Sequence, residues 1–173
     1  MTIINQIIDM GLGKTLQTLC ILSSSHHWRN DAAKNRLGRD LTEAERKANG
    51  IFPSIVICPP TVTRHWSNEI KKFTSNLKPV LYIGGTEDRK RLVDKICNYD
   101  VVISSYEIVR NDIELLSNIE WNYCILDEGH VIKNPESKIS LAVRNLKSNH
   151  RLILSGTPIQ VFFFFSLELI KFK

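Results

Sequence analysis

Residues 123–130 read Tyr-Cys-Ile-Leu-Asp-Glu-Gly-His, a short apolar run that ends in two carboxylates. The run is continuously apolar instead of alternating, which is typical of a strand buried on both faces of a sheet. A carboxylate at the carboxyl end of such a strand points into the crevice where open α/β sheets hold their ligands. The stretch therefore predicts a central strand with a functional site at its end.

Similar runs occur on both sides of this stretch, and segments of helical period separate them. The predicted strands are Ser54–Cys58, Val80–Ile83, Val101–Ser104, Tyr123–Asp127 and Arg151–Ser155. Apolar stripes at helical spacing lie between them, comprising Trp66, Ile70, Phe73 and Leu77, then Leu92, Val93 and Ile96, then Ile139, Val143 and Leu146. Strands that alternate with helices at this spacing predict an α/β fold with a central, mainly parallel sheet flanked by helices.

Composition places the chain among globular proteins. Its 173 residues are 43% apolar and 24% charged, which excludes collagen-like, disordered and membrane-spanning classes. The longest apolar run begins at Val161 and is far shorter than the roughly 20 residues that cross a bilayer, so no membrane partner is expected. The net charge of +5 suits a polyanionic partner without requiring one.

Gly13-Lys14-Thr15 has the form of the end of a P-loop. In such a loop the glycine N–H groups cradle phosphates, the lysine meets the β- and γ-phosphates, and the Thr hydroxyl ligates Mg²⁺. The helical period that follows, at Leu16, Leu19 and Leu22, would place the loop at a helix N-terminus, where anions are favoured. The strict pattern has a glycine where this chain has Ile8, so a glycine-rich turn that caps a core helix stays an open alternative.

Two further clusters follow predicted strands. Asp127 would hold Mg²⁺ and Glu128 would polarise the attacking water, although a solvated acidic turn is the alternative. Ser155-Gly156-Thr157 could relay between the nucleotide and another ligand, although a plain turn is the better explanation of this cluster taken alone. The order P-loop, Asp-Glu, Ser-Gly-Thr is more specific than any of its members, and it predicts an NTPase.

Hydroxyl groups also follow two other predicted strands. Pro59-Pro60-Thr61 comes after one, and Ser104-Ser105-Tyr106 ends the other. Hydroxyls and backbone N–H groups at strand ends are typical contacts to nucleic-acid phosphates. Trp66 heads an apolar helical stripe and is interpreted as a core residue. The cluster Arg89-Lys90-Arg91 is interpreted as a solvated helix face.

With these clusters in order, the chain resembles the Swi/Snf family of helicase superfamily two. The segments similar to the family's motifs are DMGLGKT (9–15), ICPPTVTRHWSNE (57–69), VVISSYE (101–107), ILDEGHVIKN (125–134) and LILSGTPIQ (152–160). The resemblance implies a RecA-like P-loop lobe that binds ATP and Mg²⁺ and moves along duplex DNA without separating the strands.

The resemblance also implies a role for each matching residue. The ATP-binding loop would consist of Asp9, Met10, Gly11, Leu12, Gly13, Lys14 and Thr15. Lys14 would act on the phosphates, Thr15 and Asp127 would hold Mg²⁺, and Glu128 would be the catalytic base. The links between nucleotide state and DNA contact would be His130, Ser155, Gly156 and Thr157. The residues near the DNA backbone would be Thr61, Ser104, Ser105 and Tyr106.

Within the family, the wording KTLQTLCIL, PPTVTRHW and CILDEGHVIKN is most similar to the ATPases that remove the TATA-box-binding protein from DNA. This similarity implies a nuclear role in chromatin remodelling and transcription regulation. The TATA-box-binding protein would be a partner through regions that this sequence does not contain.

The resemblance covers residues 9–160 and breaks at both ends. We expect residues 1–160 to form the helicase ATP-binding lobe, with a polar surface insertion near 26–50 that is partly helical around Leu41–Ala48. Residues 161–173 would form a divergent apolar tail, and the family's second lobe is absent. That lobe supplies arginines worth about 10³–10⁵ in rate in related enzymes. We therefore expect the chain alone to hydrolyse ATP very slowly or not at all.

Two other functions fit the same residues. The departures at the P-loop motivate a catalytically inactive module that binds DNA or a protein, produced from a truncated gene. An RNA-directed helicase relative is the second, because Asp-Glu-x-His occurs there too, although the Pro-Pro-Thr and Gly-His-Val-Ile-Lys-Asn wording favours the DNA-directed family.

Overall fold

The computed structural model describes residues 6–8, 13–38 and 41–154, which form a sheet covered by helices. The strands in this part of the chain are β1 (Gln6–Ile8), β2 (Ser54–Cys58), β3 (Pro79–Leu81), β4 (Val101–Ser105), β5 (Glu120–Asp127) and β6 (Lys147–Leu154). They form one sheet in the order β1-β6-β5-β2-β4-β3, and every neighbouring pair is parallel. The predicted α/β fold with a parallel, helix-flanked sheet is confirmed.

Helices connect the strands, as parallel pairing requires. Those in the described residues are α1 (Lys14–Leu37), α2 (Glu43–Ala48), α3 (Thr63–Phe73), α4 (Thr86–Val93), α5 (Tyr106–Asn111), α6 (Ile113–Leu116) and α7 (Lys138–Asn145). Short 3₁₀ helices lie at Pro60–Val62, Ile96–Asn98 and Gly129–Ile132. No helix within the described ranges is long and apolar enough to cross a membrane.

The central strands are buried on both faces, as their continuous apolar runs predict. In β2, Ile55 and Ile57 face a core cluster formed with residues of α5 and α7. The alternate residues Val56 and Cys58 face the opposite cluster, which α1 and α3 cover. All five residues of β2 and of β4 are buried. The two cores lie on opposite faces of one sheet and hold its strand ends in fixed positions.

The strand predictions are most accurate in the middle of the sheet. The bounds of β2 are those predicted, whereas β5 begins at Glu120 and β6 at Lys147, earlier than expected. Both strands begin with polar residues, such as Asn122 and Ser148, which interrupt the apolar signal although they are buried. The edge strand β1 was not predicted, because three residues are too few to show a pattern.

The helical stripe of α3 is only partly buried. Trp66 and Ile70 are in the core, but Phe73 is 48% exposed at the end of the helix, with the Lys72 ammonium 4.8 Å from its ring centroid. Leu77 is buried although it lies beyond the helix. The prediction of one continuous stripe is therefore wrong after Ile70, because the helix stops at Phe73 and the chain turns towards β3.

The polar segment between α1 and β2 is tied to the sheet by a buried carboxylate. Asp100, next to the start of β4, accepts hydrogen bonds from Arg46 Nη2 at 2.6 Å and from the Lys78 backbone N–H at 2.8 Å. His26 Nε2 lies 2.6 Å from the same carboxylate. Burial raises the pKa of Asp100, but the contacts with His26 and Arg46 outweigh it and keep that pKa below its usual value. Helix α2 lies within the stretch predicted to be helical.

Arg89 is buried, so its interpretation as part of a solvated helix face is wrong. Its Nε and Nη2 atoms donate to the two carboxylate oxygens of Asp112 at 2.6 and 3.0 Å. The Tyr82 hydroxyl donates to the same carboxylate at 2.9 Å, and Arg89 Nη1 also donates to the Gly84 carbonyl. The neighbouring Lys90 is exposed, as predicted. The local sequence does not distinguish these two cations, because the buried partner of Arg89, Asp112, lies 23 positions further along the chain.

Breaking the buried ion pair should destabilise the fold. We expect Arg89→Met to lower the free energy of unfolding by about 3 kcal/mol, because it leaves the Asp112 charge uncompensated in the interior. Lys90→Met is the matched control, because Lys90 pairs with Glu87 on the surface, and it should change stability by less than about 0.5 kcal/mol. Urea denaturation measures both, and equal losses would contradict the assignment.

The same pair should make stability depend on acid. Hydrogen bonds from Arg89 hold the pKa of Asp112 below its usual value, against the opposing effect of burial. The unfolded chain takes up this proton near pH 3.9, so the contribution is complete above that pH and is lost as the pH falls below it. We expect Asp112→Asn to be less stable than the wild type at pH 7, with the difference narrowing towards pH 3. A difference in unfolding free energy that is independent of pH would refute this.

Candidate nucleotide and DNA site

The parallel register brings the candidate residues to one edge of the sheet. Asp127 at the end of β5 pairs with Leu154 at the end of β6, and Leu154 pairs with Ile8 at the end of β1. The predicted P-loop follows Ile8 in the sequence, and Ser155 follows Leu154. Residues 9–12 and 155–157 lie outside the described residues, so the candidate loop at Asp9, Met10, Gly11 and Leu12 and the links at Ser155, Gly156 and Thr157 stay predictions.

Helix α1 begins where the P-loop motif predicts. Gly13 has a φ of +65°, a conformation that favours glycine, and its carbonyl accepts the first helical hydrogen bond, from Gln17 N–H at 3.1 Å. The backbone N–H groups of the first turn, which includes Lys14 and Thr15, have no partner within the helix. Both side chains are half-buried. An anion at this end would meet free N–H groups and the positive end of a 24-residue helix.

Three hydrogen bonds fix Asp127. The Trp66 indole Nε1–H donates to Asp127 Oδ2 at 2.8 Å, and the backbone N–H of Glu128 donates to Oδ1 at 3.0 Å. The Tyr106 hydroxyl donates to the Asp127 backbone carbonyl at 2.7 Å. These donors come from α3, from α5 and from the adjacent residue Glu128. The position of the carboxylate therefore depends on helices on both faces of the sheet.

The charge of Asp127 affects its buried neighbours. Burial, and then the Asp127 charge, raise the pKa of the Cys58 thiol to about 12. The same two causes, in the same order, raise the pKa of Tyr106 well above its usual value. Both groups are therefore neutral at physiological pH. Tyr106 keeps the proton that it donates to the Asp127 carbonyl.

Glu128 has the left-handed conformation, with φ 54° and ψ 50°. It turns the chain sharply from β5 into the following 3₁₀ helix, so that its side chain leaves the sheet edge half-exposed. His130 Nδ1 lies 3.1 Å from Glu128 Oε2. The structure thus places the candidate catalytic base in contact with the candidate link His130.

Gly129 is required by close packing rather than by its backbone conformation. It is buried, and a Cβ added to it would overlap the Cγ2 methyl of Ile153 in β6. That methyl is attached to the Cβ of a strand residue and cannot move away freely. The glycine thus lets the turn after Asp127 lie directly against the neighbouring strand.

The four candidate DNA contacts differ in exposure. Thr61 is exposed on the 3₁₀ helix after β2. The other three side chains are buried: Ser104 Oγ donates to the Tyr82 carbonyl, Ser105 Oγ accepts from the Ile108 N–H, and Tyr106 bonds to Asp127. Of these four residues, only Thr61 has an exposed hydroxyl that could contact DNA directly. For Ser104, Ser105 and Tyr106 the predicted role stays a prediction, and the segment would have to act through its backbone.

The sequence interpretation missed two contacts within the candidate site. Trp66 is in the core, as predicted, but its bond to Asp127 spans 61 positions of sequence. Tyr106 was taken as a DNA contact, and its bond to the Asp127 backbone was not foreseen. A buried tryptophan usually finds an acceptor for its N–H, and that rule was the available signal. The acceptor itself follows only from the strand order.

A family model described as the SNF2-related domain matches residues 7–170 of the chain. The chain belongs to the SNF2-related domain family. Among curated relatives, the TATA-binding protein-associated factor mot1 of Aspergillus fumigatus is 51% identical over 152 residues. The human TATA-binding protein-associated factor 172 is 48% identical over 155 residues. Each alignment covers 88% of this chain and 8% of the relative, so the chain spans a small part of their length.

Solved structures agree with the family assignment. The SWI2/SNF2 ATPase core of Sulfolobus solfataricus, in complex with double-stranded DNA, matches with a TM-score of 0.67 and 36% identity. The same core domain in another structure matches with a TM-score of 0.63. Both matches cover 88% of this chain and 27% of the other. The chain therefore has the fold of a RecA-like lobe of such an ATPase core.

The close approach at Gly129 gives a prediction about stability. We expect Gly129→Ala to lower the free energy of unfolding by about 1–3 kcal/mol, because the added methyl overpacks the contact between the turn and β6. Gly85→Ala is the control, because a Cβ there meets only Asp88 at an ordinary distance. Its cost should stay below about 1 kcal/mol, the preference for glycine over alanine at a helix N-cap.

A double-mutant cycle identifies the contact responsible. The methyl group added by Gly129→Ala would overlap the Cγ2 methyl of Ile153. Ile153→Ala removes that Cγ2 methyl. We expect the cost of Gly129→Ala to be nearly abolished in the Ile153→Ala background, although Ile153→Ala is itself destabilising. The same cost in both backgrounds would mean that another contact requires the glycine.

Proposed function

We propose that this chain is the first RecA-like lobe of an ATP-dependent DNA translocase, and that it binds ATP with Mg²⁺ and duplex DNA. The observation that carries the proposal is the state of Asp127. Its carboxylate is fixed by neutral donors, whereas Asp100 and Asp112 are each paired with a guanidinium. Within the described residues Asp127 has no cationic partner, so its charge is available to a bound cation.

The residues near this edge suit Mg²⁺ and a triphosphate. Mg²⁺ prefers hard oxygen ligands, and one or two protein oxygens together with substrate phosphates are its usual set. The Asp127 carboxylate and the Thr15 hydroxyl would hold it, and it would neutralise charge that develops on the phosphates. The start of α1 and the Lys14 ammonium would bind the phosphates themselves, together with the loop from Asp9 to Leu12.

Glu128 would act on water rather than on the metal. Its half-exposed carboxylate leaves the sheet edge immediately after Asp127, where it can orient a water and accept its proton. His130 would connect this group to the DNA-contacting elements, as would Ser155, Gly156 and Thr157. The contact between His130 and Glu128 supports that role, because a change at one side chain alters the other.

The DNA surface would lie around Thr61. This residue is exposed on the segment that joins β2 to α3, and the net charge of +5 favours a polyanion. The related Sulfolobus core was solved in complex with double-stranded DNA, which supports duplex DNA as the partner. The names of the fungal and human relatives support a finer proposal. In this finer proposal, a longer protein that contains this domain would act on the TATA-box-binding protein in the nucleus.

Nucleotide binding gives the direct test. A fluorescent ATP analogue with Mg²⁺ should bind the wild type, and Lys14→Ala should weaken binding at least tenfold, since a hydrogen bond to a charged group contributes about 1.5–3 kcal/mol. Lys95→Ala is the matched control, because this exposed lysine lies in the turn after α4, and its affinity should equal that of the wild type. Absence of binding by the wild type would sink the proposal. DNA binding that ignores nucleotide and Mg²⁺ would favour the inactive binding module.

A further inference from the structure

Trp66 makes one polar contact with a residue that the proposed function uses. The ring is 2% exposed and belongs to the core cluster between the sheet and the helices α1 and α3. An indole has a single donor, and that of Trp66 is directed at Asp127 Oδ2 at 2.8 Å. A ring clamped by its packing cannot follow a carboxylate that rotates, so the bond selects one orientation of the Asp127 side chain.

Among the described residues, the hydrogen bonds to the Asp127 carboxylate leave acceptor positions on both of its oxygens. One neutral N–H reaches each oxygen, and a carboxylate offers about four acceptor positions. A cation can therefore bind Asp127 while both hydrogen bonds persist. A residue that holds a metal ligand in this way usually affects metal affinity by about 10- to 100-fold.

We propose that Trp66 is a positioning residue for the metal-binding carboxylate of Asp127. It is not itself a ligand, and this inference rests on the proposed function of Asp127. The alternative is that Trp66 only fills the core and that its N–H donates to whichever acceptor is nearest. Since Trp66 lies in the first turn of α3, which begins two residues after Thr61, the bond also ties the candidate DNA segment to the metal site.

Trp121 provides a matched control. It is fully buried, and its indole N–H donates to the Leu116 backbone carbonyl at 3.2 Å, away from Asp127 at the opposite end of β5. Trp66→Phe and Trp121→Phe each remove one buried indole hydrogen bond and a similar volume. Only the first removes a donor to Asp127.

The first experiment measures how much Mg²⁺ strengthens binding of a fluorescent ADP analogue to the full 173-residue chain. We expect Trp66→Phe to reduce the Mg²⁺-dependent gain in affinity about tenfold, with affinity in EDTA unchanged. Trp121→Phe should leave both values at those of the wild type. A merely structural role of Trp66 would lower the two affinities together.

The second experiment observes the hydrogen bond without any nucleotide. In ¹H–¹⁵N spectra, the indole signal missing from Trp66→Phe identifies Trp66. We expect Asp127→Ala to shift that signal and to speed its exchange with solvent by at least tenfold, with the Trp121 signal unmoved. A Trp66 signal whose chemical shift and exchange rate are unchanged in Asp127→Ala would overturn the inference.

The two proposals fail in different ways. A wild-type chain that gains no affinity from Mg²⁺ would overturn the proposed function, and the metal role of Trp66 with it. A wild type that gains affinity, with Trp66→Phe gaining equally, would overturn the positioning role and leave the proposed function standing.

Discussion

The parallel register of the sheet is the constraint on which the rest of the structure depends. Because the six described strands run the same way, the strand ends at Ile8, Leu154 and Asp127 lie side by side at one edge of the sheet. A slip of one residue in β5 would turn Asp127 from one face of the sheet to the other. Burial on both faces resists such a slip, since it would exchange the residues of two well-packed cores.

Carboxylates have two distinct uses in this fold. Asp100 and Asp112 are neutralised by cations from distant parts of the chain, and they hold the polar segment and helix α4 in place. Asp127 is held by dipoles instead. Indole and amide N–H groups orient a carboxylate without supplying a counterion. The fold therefore fixes the direction of this side chain and leaves it able to bind a cation.

Much of the fold could be predicted from the sequence, because continuous apolar runs identify strands with two covered faces. β2 was predicted to the residue, and the starts of β5 and β6 were lost because buried polar residues such as Asn122 interrupt the pattern. The motifs placed Lys14, Asp127 and Glu128 at element ends, where the structure has them. The contacts of Trp66 with Asp127 and of Arg89 with Asp112 could not be foreseen. Each depends on how distant strands and helices are arranged, which local sequence does not encode.

The left-handed backbone at Glu128 sets a limit on how stable this turn can become. For a residue other than glycine that conformation costs of order 1 kcal/mol or more, and neighbouring packing must hold it in place. Glycine would adopt it freely, so selection for stability alone would favour glycine at position 128. The glutamate therefore places a carboxylate in this turn at a cost in stability that glycine would avoid. Under the proposed role of Glu128, the thermal stability of the turn and its chemistry therefore compete at one residue.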